Sequence, residues 1–151
     1  MKILLVEDNS KHREDAEQVL NAAGVEFLYA RNVDLAEQIL RNNEENGITH
    51  VMTDLFMPFG RAGYSNGDNE GRLEPCGLSV ALFAEEMGLP FVICTDGHHH
   101  GVRYDWITML GRRRNWPYMV DNVREHTDVA KTKDWAGALK LLTGIQIPIA
   151  A

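Results

Sequence analysis

Cysteine is scarce in this sequence. Only Cys76 and Cys94 occur, in neither a CxxC pair nor a zinc-site spacing. A disulfide-stapled scaffold and a cysteine zinc site are therefore excluded, and we expect a reduced compartment, the cytoplasm. Long apolar runs are also missing, because no stretch approaches the roughly 20 residues of a membrane span. The short apolar run at residues 3–6 is followed by acids, so we expect neither a signal peptide nor a membrane partner.

Positive charge is the third scarcity. Lys and Arg total 15 against 22 Asp and Glu, which gives a formal net charge of -7. The one basic run, at 112–114, is short. Because nucleic-acid binding usually needs a basic face, we expect no nucleic-acid partner.

What the sequence does contain is an alternation of short apolar runs and amphipathic stretches. The runs at 3–6, 25–30, 48–54 and 90–95 predict buried strands, and a fifth strand is predicted either at 118–120 or ending at 129–130. The intervening stretches predict helices, with Ser10 capping the first and Thr132 capping the last. The alternation predicts an α/β fold, with helices on both faces of a parallel sheet.

The length of 151 residues fits one domain. Four glycines and few apolar residues at 60–75 predict an inserted loop, and 97–130 forms an extended segment. We therefore expect a single domain over 1–151 that carries these two insertions and no separate output module.

Carboxylates follow two of the predicted strands. Glu7 and Asp8 come after the first strand and Asp54 after the third. Ligands of such sheets bind beyond the carboxyl ends of the strands. Clustered carboxylates repel one another, and a hard divalent cation such as Mg²⁺ relieves that repulsion. With the Thr95 hydroxyl and a lysine added, the set predicts a phosphoryl-transfer site with one carboxylate as nucleophile.

These motifs resemble the receiver domain of two-component response regulators. The resemblance rests on three features: the Leu-Val-Glu-Asp-Asn run at 5–9, the Asp-Leu-Phe-Met-Pro run at 54–58, and Thr95 after an apolar strand. It implies a flavodoxin-like doubly wound sheet of five parallel strands in the order 2-1-3-4-5.

The resemblance also implies roles for individual residues. Asp54 would accept a phosphoryl group from a histidine kinase or phosphotransfer protein. Glu7, Asp8, Asp54 and the backbone carbonyl of Phe56 would bind Mg²⁺. Thr95 would relay the phosphorylated state to a downstream protein target, and whether the chain forms a homodimer stays open.

The second half of the chain departs from the family pattern. The usual Lys-Pro pair is missing, and Lys131 is the first choice for the phosphoryl-contacting lysine, with Lys133 as another option. If the fifth strand is at 118–120, Asp121 falls where the lysine should be. Asp96 replaces the small residue expected after the threonine. The histidines at 98–100 are expected to be exposed, at the rim of the acid pocket.

These departures keep three functions open. The leading one is an atypical, stand-alone phosphoacceptor receiver domain that is at most self-dephosphorylating. The alternative is a pseudo-receiver that binds proteins without phosphorylation. A weaker alternative is a metal-dependent phosphohydrolase, although Phe56 stands where such enzymes usually have a second aspartate.

Overall fold

The computed structural model describes residues 1–58, 73–95, 105–120 and 133–146. The helices and strands of these ranges follow one another as β1 (Lys2–Val6), α1 (Ser10–Ala22), β2 (Glu26–Ala30), α2 (Val33–Arg41), α3 (Asn43–Asn46), β3 (His50–Thr53), β4 (Met57–Pro58), β5 (Leu73–Glu74), α4 (Gly77–Glu86), β6 (Phe91–Thr95), α5 (Asp105–Arg114), β7 (Tyr118–Val120) and α6 (Trp135–Thr143).

The main sheet has five parallel strands in the order β2-β1-β3-β6-β7. Counted along the chain without the short strands β4 and β5, this is the predicted order 2-1-3-4-5, and the α/β fold class is confirmed. The fifth strand is Tyr118–Val120, the first of the two alternatives. The other alternative, at 129–130, lies outside the described residues.

Each face of the sheet carries its own apolar layer. Along β1, Leu4 and Val6 pack with residues of α2, α4 and α5, whereas Ile3 and Leu5 pack with residues of α1 and α6. Side chains alternate between the two faces of a strand, so a strand covered on both faces needs an apolar residue at every position. This requirement explains the continuous apolar run at the start of the sequence.

Two predicted helix caps need correction. The side chain of Asn9, not Ser10, accepts hydrogen bonds from the backbone N–H groups of Lys11 and His12, and Ser10 is the first residue of α1. The last helix is capped by Asp134, and the predicted cap Thr132 lies outside the described residues. Asn and Asp both cap well because a short side-chain oxygen can reach the free N–H groups of the first turn.

A second, two-stranded sheet follows β3 closely. β4 pairs with β5 in antiparallel register, Met57 opposite Glu74 and Pro58 opposite Leu73. A loop was predicted across 60–75, and this was wrong at residues 73–74, which are extended and paired. Residues 59–72 lie outside the described part of the chain. The strands on either side of them, β4 and β5, pair with each other.

Among the described helices, none is both long and apolar enough to cross a membrane.

Candidate functional site

The three predicted acids meet at the carboxyl ends of two neighbouring strands. Val6 pairs with Thr53, so the residues that follow β1 and β3 emerge side by side. The backbone N–H of Asp54 donates to the carbonyl of Val6 at 2.9 Å, which ties the two strand ends together. Carboxylate oxygens of Glu7, Asp8 and Asp54 lie within 4.8 Å of one another.

Glu7 is fully buried and held at three points. Its backbone N–H donates to the carbonyl of Ala30 at 3.1 Å, and its own carbonyl accepts a hydrogen bond from the Tyr29 hydroxyl at 2.9 Å. Its side-chain Oε1 accepts the N–H of Asn9 at 3.0 Å. These contacts fix the turn that presents both Glu7 and Asp8 to the pocket.

Asp54 is held equally closely. Its Oδ1 accepts the backbone N–H of Leu55 at 2.6 Å, and its carbonyl accepts the Thr53 hydroxyl at 2.8 Å. The first residue of α4, Gly77, packs against the Asp54 carbonyl so closely that a Cβ there would overlap the carbonyl oxygen. The N–H of Gly77 donates to the Leu55 carbonyl at 2.9 Å. Asp54 thus lies between the end of a strand and the start of a helix.

Lys133 supplies the positive charge. Its Nζ lies 2.7 Å from Oδ2 of Asp54 and 2.5 Å from Oε2 of Glu7, and its side chain is only 1% exposed. The ammonium therefore bridges two buried carboxylates.

The charges of the site alter its pKa values. Burial and the charge of Asp54 raise the pKa of Glu7 to about 7, against the lowering effect of Lys133. The same two causes raise the pKa of Asp8. Burial alone would lower the pKa of Lys133, but the carboxylates of Asp54 and Glu7 raise it. The surrounding carboxylates therefore favour the charged form of the lysine, whereas burial and like charge disfavour the ionised forms of Glu7 and Asp8.

This donor set fits Mg²⁺. Oxygen ligands at about 2.1 Å from an octahedral ion lie roughly 3 to 4 Å apart, so oxygens grouped within 4.8 Å need only small shifts to share one ion. Lys133 balances one of the three negative charges, which leaves two for a divalent cation. Glu7, Asp8 and Asp54 would hold the ion, and the Phe56 carbonyl stays a predicted fourth ligand.

Thr95 lies at the same edge of the sheet. It is the last residue of β6, is fully buried, and follows two positions after Ile93. The β3–β6 pairing places Ile93 beside Thr53, directly before Asp54. The position suits the predicted relay role, which stays a prediction.

The lysine beside Asp54 is not the one that was predicted first. Lys131, the first choice, lies outside the described residues, and Lys133, one of the options, is the lysine at Asp54. Asp96, Asp121 and the histidines at 98–100 are also outside the described residues. Sequence reasoning missed Tyr29 and Asp134 altogether, since a strand tyrosine and a helix cap carry no motif.

Comparison with known proteins identifies the fold. No protein-family model and no curated protein matches the sequence. Solved structures do match. A response regulator receiver domain protein from Clostridium thermocellum has 23% identity and a TM-score of 0.53, over 81% of this chain and 82% of its own. A receiver protein from Pseudomonas putida has 18% identity and a TM-score of 0.58, over 95% and 96%.

The chain has the receiver-domain fold. At such identities the likeness establishes the fold alone. A de novo designed Rossmann 2x3 fold protein makes the point, because it matches over 99% of this chain with 11% identity and a TM-score of 0.54. Any inference about function must therefore rest on the pocket itself, in which Lys133 pairs with Asp54 and Glu7 beside Asp8.

Proposed function

We propose that this chain is a phosphoacceptor receiver domain, in which a histidine kinase or phosphotransfer protein phosphorylates Asp54 in the presence of Mg²⁺. The observation that carries the proposal is the buried ion-pair network of Lys133 with Asp54 and Glu7, beside Asp8. Burying two acids and a lysine beside a third, half-buried acid is costly for a fold that gains only stability from them. A function that uses all four groups accounts for that cost.

The chemistry follows from the arrangement. An oxygen of the Asp54 carboxylate attacks the phosphorus of a phosphohistidine, the new P–O bond forms and the P–N bond breaks. The electron pair of the broken P–N bond stays on the leaving imidazole nitrogen, which takes a proton from solvent. Bound Mg²⁺ supplies charge stabilisation for the phosphoryl oxygens. Lys133, already 2.7 Å from Oδ2, can follow the added negative charge by a small movement of its ammonium.

The signalling consequence is also part of the proposal. Thr95 ends β6 at the same edge of the sheet, and its hydroxyl would contact the phosphoryl group and alter the surface read by a downstream protein. Lys133 takes the phosphoryl-contacting role for which Lys131 was the first choice.

Acetyl phosphate tests the proposal directly. Wild-type protein incubated with Mg²⁺ and acetyl phosphate is expected to gain the mass of one phosphoryl group, and chelating Mg²⁺ should prevent the gain. Asp54→Asn should remain unmodified, whereas the matched control Asp34→Asn, in the first turn of α2, should be modified like wild type. Failure of the wild type to gain mass would contradict the proposal, as would modification of Asp54→Asn.

The other two functions give different outcomes. A pseudo-receiver would bind its protein partner equally well with Asp54→Asn and without Mg²⁺. A phosphohydrolase would turn over a generic phosphate ester, with Asp54 as nucleophile.

A further inference from the structure

The backbone turns sharply between Lys133 and α6. The carbonyl of Lys133 accepts the N–H of Trp135 at 2.9 Å. Between them, Asp134 has φ -79° and ψ 68°, the geometry of the central residue of an inverse γ-turn. Lys133 therefore stands one tight turn before the helix begins. The backbone conformation of Asp134 sets the direction in which the Lys133 side chain extends.

Asp134 is itself fixed by the first turn of α6. Its Oδ1 accepts the N–H of Gly137 at 2.8 Å, and its carbonyl accepts the N–H of Ala138 at 2.9 Å. A Cβ at position 137 would overlap the Asp134 carboxylate. A side chain there would therefore have to displace the carboxylate that caps α6.

The next residue anchors the whole junction in the core. Trp135 is 1% exposed and packs in the apolar layer that includes Leu5, Met52 and Cys94. The Lys133 Nζ lies 5.6 Å from the centre of the Trp135 ring, within cation–π range. Because Trp135 is packed in the core and Asp134 caps α6, the backbone on the helix side of Lys133 is held at two successive residues.

We propose that Asp134 is the positioning residue for Lys133: its cap on Gly137 and its inverse γ-turn hold the lysine where its ammonium reaches both Asp54 and Glu7. The catalytic consequence rests on the proposed function of the pocket, but the positioning does not. Asp134 is not one of the three acids grouped in the pocket, and its proposed role is to act through Lys133.

The test has a structural and a chemical measurement. The ammonium signal of Lys133, assigned by its loss in Lys133→Met, is followed by NMR, because a buried and doubly paired ammonium exchanges slowly with water. Asp134→Ala is expected to broaden or shift this signal and to slow phosphorylation by acetyl phosphate about tenfold, since a misplacement of about 1 Å can cost about 100-fold. Gly137→Ala should act in the same way by displacing the Asp134 carboxylate.

Conservative and control variants separate positioning from general stability. Asp134→Asn keeps a capping oxygen and is expected to keep both the signal and the rate. Asn32→Ala removes the cap of α2, where Asn32 Oδ1 accepts the Leu35 N–H at 2.9 Å, and should lower the thermal midpoint without changing the Lys133 signal.

The outcomes remain distinguishable from those of the proposed function. The positioning role is refuted if Asp134→Ala retains the wild-type Lys133 signal, or if Asn32→Ala disturbs that signal as much. If Asp134→Ala moves the signal while even the wild type resists phosphorylation, the positioning role stands and the proposed function fails.

Discussion

At the scale of single residues, the carboxyl group of Glu7 is both buried and close to the negative charge of Asp54. Both effects raise its pKa to about 7, even with Lys133 2.5 Å away. Near neutral pH its carboxyl group is therefore close to half protonated in the metal-free protein. A metal ion binds the ionised carboxylate, so metal binding at Glu7 is linked to the release of its proton.

This linkage predicts a pH-dependent Mg²⁺ affinity. Because the pKa of Glu7 is raised from 4.5 to about 7, binding should strengthen about tenfold per pH unit as the pH rises toward 7, and level off above it. Titration calorimetry between pH 5.5 and 8.5 measures the slope. Glu7→Gln should bind more weakly and lose most of that slope, and an unchanged slope in this variant would contradict the assignment to Glu7.

The same shift has a defined sign for metal-free stability. A carboxyl group whose folded pKa exceeds its unfolded value binds its proton more tightly when folded. The Glu7 contribution to the unfolding free energy therefore decreases as the pH rises from about 4.5 to about 7.

At the scale of elements, the start of α4 packs directly against the residue that follows β3. Gly77 begins α4 against the carbonyl of Asp54, where no Cβ fits. A side chain there must push the helix start away from the strand end. Site geometry and helix packing therefore depend on the same position.

Two glycine substitutions should have opposite effects. Gly77→Ala is expected to lower the unfolding free energy by about 1–3 kcal/mol, the usual cost of overpacking. Gly111→Ala, in α5 with nothing within 4 Å of the added Cβ, should raise it by about 0.5–1 kcal/mol through helix propensity. Urea denaturation measures both, and equal effects of the two substitutions would show that the Asp54 contact is unimportant.

Local sequence pattern predicted the elements better than their ends. The strand Tyr118–Val120 has the bounds of one of the two predicted alternatives. The predicted cap at Ser10 and the predicted loop at residues 73–74 were wrong. Ser10 and Asn9 are both good caps, and only the backbone conformation selects one of them. The β4–β5 pairing joins residues 15 and 17 positions apart, Pro58 with Leu73 and Met57 with Glu74. The spacing of apolar residues along the sequence does not predict such a pairing.

At the scale of the whole molecule, the two strands that flank residues 59–72 form one antiparallel pair. Met57 faces Glu74 and Pro58 faces Leu73, so the two strands can be joined by a two-residue turn. Replacing 59–72 with Asn-Gly is expected to keep the fold and the thermal midpoint within a few degrees of wild type. Circular dichroism during heating measures this, and loss of the cooperative transition would show that the segment is part of the core.

The acid half of the site was predictable from the sequence, and the lysine was not. Glu7, Asp8 and Asp54 each follow a strand directly, so the parallel sheet alone places them together. Lys133 reaches them from the junction before α6, whereas spacing favoured Lys131 as the first choice. The place of Lys133 beside Asp54 and Glu7 depends on how the start of α6 packs around the buried Trp135, which sequence spacing does not report.

The ion pair between Lys133 and Glu7 joins residues 126 positions apart. Closing a loop of this length costs entropy, which the contacts it permits must offset. The three acids are brought together by the β1–β3 pairing, whereas their counter-charge stands directly before α6. A chain whose α6 is undocked would therefore present the acids without their lysine, and a divalent cation would be their substitute partner.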